Sequence, residues 1–198
     1  MSAIPAPISS PEREWSLPSR GKTGMLNLIL AESAIFTIFV ISYIFYLGKS
    51  LSGPTPVEIL HVPILDTICL LSSSLTIHFA VAALRRGKSK AFLFWWGATL
   101  ALGLKFIEGT AADWYQMIYR ENFSIKTNLF GTTYYSLVGL HASHVTVGLI
   151  GLSLVFLLAL AGKVKQQHAE RCEVFSLYWH FVDAVWVVVF TVVYLVGR

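Results

Sequence analysis

Five long apolar segments constrain the fold of this chain more than any other feature of its sequence. Each reaches the ~20 residues that a helix needs to cross the hydrocarbon core of a bilayer. The segments run approximately over Met25–Leu47, Val62–Leu84, Ala91–Ala112, Thr132–Leu158 and Phe175–Val196. Backbone groups find no water in the bilayer core, and the segments lack the alternating polarity of β-barrel strands. The sequence therefore predicts an all-α polytopic integral membrane protein, a bundle of five transmembrane helices.

The composition is typical of a protein that resides in a membrane. Of the 198 residues, 55% are hydrophobic and 13% are charged, whereas a water-soluble domain carries about 25% charged residues. The fourth segment is the clearest, since no Asp, Glu, Lys or Arg occurs between Phe130 and Gly162. The third is the weakest because Lys105 and Glu108 lie inside it. These two residues are expected to neutralise each other as an i,i+3 pair.

The basic residues are divided unevenly between the two ends of these segments. One end carries Arg13, Arg20, Lys22, Arg85, Arg86, Lys88, Lys90, Lys163, Lys165 and Arg171. The other end carries Lys49, Arg120, Lys126 and Arg198. The positive-inside rule therefore predicts a cytoplasmic N-terminus and a periplasmic C-terminus. The net charge of +4 is then a signal of topology, and no nucleic-acid partner is expected.

The connections between the segments are too short for a second domain. Residues 1–22 are rich in Pro and charged side chains and have no apolar run, so a cleaved signal peptide is not expected. We expect a loosely ordered cytoplasmic tail over 1–22 and one five-helix domain over 23–198. Cys69 and Cys172 fall at different depths and are expected to be free thiols.

Several ionisable side chains lie inside the apolar segments, where each costs at least about 2 to 3 kcal/mol unless it has a partner or a task. Glu32 lies about two turns into the first segment. His180 and Asp183 lie at a comparable depth in the fifth and share a helix face, with Glu173 two turns earlier. We expect Glu32, His180 and Asp183 to meet in the cytoplasmic half of the bundle. Such a cluster is either a functional network or a polar lock between two helices.

A second pair, His141 and His144, lies three residues apart in the fourth segment. A metal site needs three or four ligands, and no Cys or carboxylate flanks this pair, so no metal ligand is assigned. Small residues nearby, among them Gly148, allow a neighbouring helix to approach closely. The sequence therefore predicts paired histidine hydrogen bonds at a tight helix crossing.

Four elements, in order along the chain, resemble subunit III of the haem–copper respiratory oxidases, in its short five-helix bacterial form. The most recognisable is Tyr178-Trp179-His180-Phe181-Val182-Asp183, followed by Trp186. The others are Glu32 after Ala31, the stretch 70–76, and the stretch 139–148 that contains both histidines and Gly148. The chain departs from the usual pattern at Ala31, Thr110, Asp113 and Trp114.

The resemblance implies a subunit without a catalytic residue or a redox centre, in the inner (plasma) membrane of a bacterium. Haem and copper would lie in a partner, the catalytic subunit I, and the complex would reduce dioxygen to water while moving protons outward. This chain would stabilise that partner, bind phospholipid in a helix cleft and support proton uptake. The residues implied for proton uptake are Glu32, His180, Asp183 and Glu173. Those implied for helix packing or partner contact are His141, His144, Gly148, Trp179 and Trp186.

Other functions stay open at this point. The first is the accessory five-helix subunit of a bacterial nitric oxide reductase, a branch to which Lys105 with Glu108 is similar. An independent membrane di-metal enzyme and a small transporter are lower alternatives. The sequence does not distinguish cytochrome c from quinol as the electron donor of an oxidase.

Overall fold

A computed structural model describes residues 19–197, and regular structure in this range is helical. The helices are α1 (Arg20–Tyr46), α2 (Pro56–Ile59), α3 (Ile64–Arg85), α4 (Ser89–Tyr119), α5 (Leu129–Leu160) and α6 (Ala169–Phe190). A 3-10 turn, Gln166–His168, precedes α6, and a π-helical turn, Thr191–Val196, continues it. Within the described range, 5 helices are long and apolar enough to cross a membrane, all except the short α2. The predicted all-α bundle of five spans is confirmed.

The helices extend beyond several of the predicted segment ends. α1 begins at Arg20 because the Ser19 hydroxyl accepts a hydrogen bond from the backbone N–H of Lys22, at 3.5 Å. Residues 20–22 of the predicted tail are therefore helical, and residues 1–18 lie outside the described part of the chain. α4 continues to Tyr119, because hydropathy marks the hydrocarbon layer and a helix can continue past it into polar sequence.

The packing order of the helices determines which polar side chains can meet. α3 and α4 form a helical hairpin, and α6 packs against α1, α3 and α5. α1 packs mainly against α5 and α6 and is the least buried of the spans. The starts of α1, α4 and α6 lie together with the ends of α3 and α5. We name this the basic end, because Lys22 and Arg85 lie there; the other is the opposite end.

Candidate functional site

The first polar contact joins α1 to α5. Oε2 of Glu32 lies 3.1 Å from Nε2 of His144, and both side chains are largely buried. The other ring nitrogen, Nδ1, lies 2.8 Å from the carbonyl oxygen of Leu140. A carbonyl can only accept, so Nδ1 carries a proton. The contact between Nε2 and Glu32 then needs a second proton, on the imidazole or on the carboxyl group.

The second polar contact joins α3 to α6 through one hydroxyl group. Oγ of Ser74 donates to Oδ2 of Asp183 and lies 3.0 Å from Nδ1 of His180. Because a serine has a single hydroxyl proton, Nδ1 of His180 donates to Ser74 in this arrangement. Asp183 is 3% exposed, and its Oδ1 has no hydrogen-bond partner among residues 19–197. Ser74 is thus the bridge that connects the two residues of the fifth segment.

The third polar contact lies at the basic end. Oε2 of Glu173 is 3.0 Å from Nζ of Lys22 and 2.5 Å from the guanidinium of Arg85. These ion pairs connect the first turn of α1, the last turn of α3 and the start of α6. Glu173 therefore links three helix ends, and the side chains around it remain partly open to solvent.

This arrangement differs from the predicted meeting of Glu32 with His180 and Asp183. Glu32 instead contacts His144, while His180 and Asp183 face α3 and Glu173 contacts two cations. Equal depth along two helices does not fix their rotation, and rotation decides which side chains face each other. A serine of α3, rather than a direct contact, connects Asp183 to His180. The single expected network is therefore three separate ones.

The predicted hydrogen bonding of the histidine pair is also different. His141 is fully buried, and neither ring nitrogen has a hydrogen-bond partner in the described part of the chain. Its ring stacks on Trp186 with centroids 5.0 Å apart, and Phe106 meets it edge-on at 5.8 Å. Trp186 in turn donates from Nε1 to Oγ1 of Thr67, at 3.2 Å. His141 thus packs as an aromatic ring, whereas only His144 forms an interhelical hydrogen bond.

Trp179 packs closely against Gly148 at a helix crossing. A Cβ atom built on Gly148 would lie 2.9 Å from Cζ3 of Trp179, and one on Gly103 would lie 2.9 Å from Cη2. The buried indole is therefore held between α4 and α5, with Gly103 on one side and Gly148 on the other. Its Nε1 donates to Oγ of Ser73 at 2.7 Å. Gly148 of α5 and Trp179 of α6 thus lie where two helices approach closely, which a small side chain allows.

A further charged group lies toward the opposite end. Nζ of Lys105 is 3.4 Å from Oε2 of Glu108, so the predicted i,i+3 pair is confirmed. Oδ1 of Asp66 on α3 lies 3.8 Å away from the same Nζ. Gly109 admits the Asp66 carboxylate, which would overlap a Cβ atom at that position. The sequence did not indicate a role for Asp66, because a charged residue near the end of a membrane segment is not unusual.

Ser74 was missed for a different reason. A serine in a membrane helix can bond to a carbonyl of its own helix, as Ser73 does with Leu70, so its presence alone does not indicate a partner on another helix. The signal that could have identified Ser74 is its place in the stretch 70–76, which carries part of the family resemblance. Among residues 19–197, Cys69 and Cys172 are free, as predicted. No three His, Cys, Asp or Glu side chains in that range come close enough to hold a metal ion.

Comparison with known proteins decides the family. The sequence model described as cytochrome c oxidase subunit III matches residues 19–198. The chain belongs to the cytochrome c oxidase subunit III family. Cytochrome c oxidase subunit 3 of Alkalihalophilus pseudofirmus is 33% identical, over 96% of this chain and 93% of the relative. Quinol oxidase subunit 3 of Bacillus subtilis is 30% identical, over 90% of this chain and 91% of the relative.

A third relative is cytochrome bo(3) ubiquinol oxidase subunit 3 of Pseudomonas aeruginosa, which is 30% identical over 88% of this chain and 84% of the relative. As a subunit III family member with five spans, the chain is a multi-pass membrane protein that associates with other oxidase subunits. The matches give no support to the nitric oxide reductase alternative.

Proposed function

We propose that the chain is the non-catalytic subunit III of a proton-pumping terminal oxidase, which reduces dioxygen to water in a bacterial inner membrane. The observation that carries this proposal is the family match over residues 19–198. In this proposal the haem and copper lie in the catalytic subunit I, against which this chain packs. The electron donor is cytochrome c or quinol, since relatives named for both are similar to this chain.

The polar contacts suggest how this subunit would support proton uptake. His180 lines a cavity at the basic end, which is the end predicted to be cytoplasmic, together with His78 and Arg85. Ser74 continues the hydrogen-bonded path from His180 to the buried Asp183. Glu32 and His144 hold a second exchangeable proton within the membrane layer. These groups would hold protons near the partner's surface without any redox chemistry in this chain.

An apolar groove between α1 and α6 is suited to the phospholipid that the family resemblance implies. Its cavity of about 280 Å³ is lined by Ser33, Phe36, Thr37, Val40, Phe181, Ala184, Val185 and Val188. We name it the α1–α6 groove. No Lys or Arg lines this cavity, so acyl chains rather than a headgroup would occupy it.

Purification of the tagged chain from its own membrane tests the proposal. We expect a much larger haem protein to co-purify, with dioxygen consumption supported by reduced cytochrome c or by quinol. The optical spectrum of the purified complex would report the haem types and their reaction with oxygen. Isolation of the chain without any haem protein, under conditions that preserve other membrane complexes, would refute the proposal.

The Glu32→Ala variant tests the supporting role. We expect the variant complex to lose activity faster during turnover than the wild-type complex, because the contact between α1 and α5 is lost. Glu170→Ala is the matched control, since Glu170 is exposed in the first turn of α6. Unchanged turnover lifetime together with unchanged proton uptake in Glu32→Ala would contradict this role.

A further inference from the structure

A second groove, between α3 and α6 at the basic end, differs in chemistry from the α1–α6 groove. Its cavity of about 480 Å³ falls within the ~300–1,000 Å³ typical of ligand pockets. Charged and polar side chains form its rim, and Val81, Ala82 and Leu177 form its apolar wall. We name it the α3–α6 groove. The full lining is His78, Val81, Ala82, Arg85, Arg86, Glu173, Ser176, Leu177 and His180.

The rim of this groove carries excess positive charge. Glu173 is the single carboxylate that lines it, and it contacts both Arg85 and Lys22. Arg86 is exposed and forms no ion pair among residues 19–197. One negative charge therefore faces three positive charges, and Arg86 is left to bind an anion. Basic side chains at this depth attract the anionic headgroups of the cytoplasmic leaflet.

The wall of the groove favours a lipid over a free anion. Below Arg85 and Arg86, the residues one turn earlier on α3 are Val81 and Ala82, and Leu177 faces them from α6. A soluble phosphate would contact the rim and leave this apolar surface uncovered. A phospholipid satisfies both parts, since its phosphate meets the arginines and its acyl chain lies along the wall. An acidic loop of a partner subunit would likewise match the rim and not the wall.

We propose that the α3–α6 groove is a binding site for an anionic phospholipid, with its phosphate at Arg85 and Arg86 and an acyl chain against Val81, Ala82 and Leu177. The inference rests on the proposed function for the orientation that places the basic end at the cytoplasmic leaflet. The α3–α6 groove would select lipids by the charge of their headgroup, whereas the α1–α6 groove has no basic residue in its lining.

Native mass spectrometry of the intact, delipidated complex provides the test. The complex is titrated with phosphatidylglycerol and, separately, with phosphatidylethanolamine of the same acyl chains. Arg86→Gln is expected to weaken phosphatidylglycerol binding about fivefold, the effect of one basic side chain at a membrane surface, and to leave phosphatidylethanolamine unchanged. Lys90→Gln is the matched control, because Lys90 is exposed at the same end and does not line the groove. This control should bind like the wild type.

A second variant separates the groove from general surface charge. Ala82→Phe fills the apolar wall without changing any charge, and we expect it to displace the same lipid. Equal loss of phosphatidylglycerol in Lys90→Gln and Arg86→Gln would overturn the proposal, since diffuse charge would then explain binding. Full competition by inorganic phosphate would also overturn it, as would release of a protein subunit by Arg86→Gln with lipid binding unchanged. Haem content of the same sample reports on the proposed function separately.

Discussion

Oε2 of Glu32 and Nε2 of His144 lie 3.1 Å apart, and this contact joins the first span to the fourth. Nδ1 of His144 already donates to the carbonyl of Leu140. The pair therefore holds one proton more than a neutral imidazole and a carboxylate would hold together. That proton makes the contact a donor–acceptor pair inside the membrane, where an unprotonated pair would leave two acceptors facing each other.

This proton count predicts different effects for two substitutions of Glu32. In Glu32→Gln the side-chain amide can donate to Nε2 of His144, so we expect stability close to the wild type. In Glu32→Ala, Nε2 loses its partner, and we expect a loss of about 1–3 kcal/mol. Thermal unfolding of the purified complex measures both. Equal destabilisation by Gln and Ala would show that charge, rather than a hydrogen bond, is what the site requires.

The bridge formed by Ser74 predicts that removing this serine destabilises the protein more than removing another serine of α3. Ser74→Ala removes the shared partner of His180 and Asp183, and we expect a loss of about 1–3 kcal/mol. Ser72→Ala is the control, since Ser72 is on the same helix and its side chain forms no hydrogen bond within residues 19–197. A double-mutant cycle with Asp183→Asn should give a coupling above ~0.5 kcal/mol. Additive effects in that cycle would argue against the bridge.

The close packing around Trp179 predicts that larger side chains at Gly103 and Gly148 destabilise the bundle. Gly148→Ala and Gly103→Ala each place a methyl group about 2.9 Å from the indole, and overpacking of this kind costs about 1–3 kcal/mol. Gly24→Ala is the control, because nothing lies within 4 Å of a Cβ atom there. We expect lower unfolding temperatures for the first two variants and none of this loss for the third. If all three behave alike, helix propensity and not packing sets the outcome.

The ion pairs of Glu173 predict a dependence on salt. Glu173→Gln leaves Lys22 and Arg85 without their shared carboxylate, and we expect a loss of up to about 1 kcal/mol at low ionic strength, since the groups are partly exposed. Screening at ~1 M salt should shrink the difference from the wild type. The measurement is the unfolding temperature of both complexes across a salt series, with Glu170→Gln as control. A difference that salt leaves unchanged would rule out an electrostatic origin.

The bundle itself could be predicted because hydropathy alone separates what lies in hydrocarbon from what does not. Helix periodicity placed Lys105 beside Glu108, since residues three apart on one helix are neighbours in any fold. The exact ends of the helices were harder to predict. Hydropathy does not report where backbone hydrogen bonding stops, so α1 begins earlier and α4 ends later than expected.

The partners of the buried polar groups could not be predicted, because they depend on helix rotation and order. Glu32 of α1 faces α5, whereas His180 of α6 faces α3, so the partner of Glu32 is His144 rather than His180. His141 and His144, three residues apart, still differ in surroundings: one stacks on Trp186 and the other meets a carboxylate. A spacing of three places two side chains on one face, but the neighbouring helix decides what each of them meets.

The peripheral position of α1 has a consequence for biogenesis. Its main packing partners are α5 and α6, the last spans to be synthesised, and His144 follows Glu32 by 112 residues. We therefore expect the first span to be synthesised before the partner of its carboxyl group, and to dock only once α5 is in place. A nascent chain that terminates before α5 would retain the α3–α4 hairpin but lack both helices against which α1 packs.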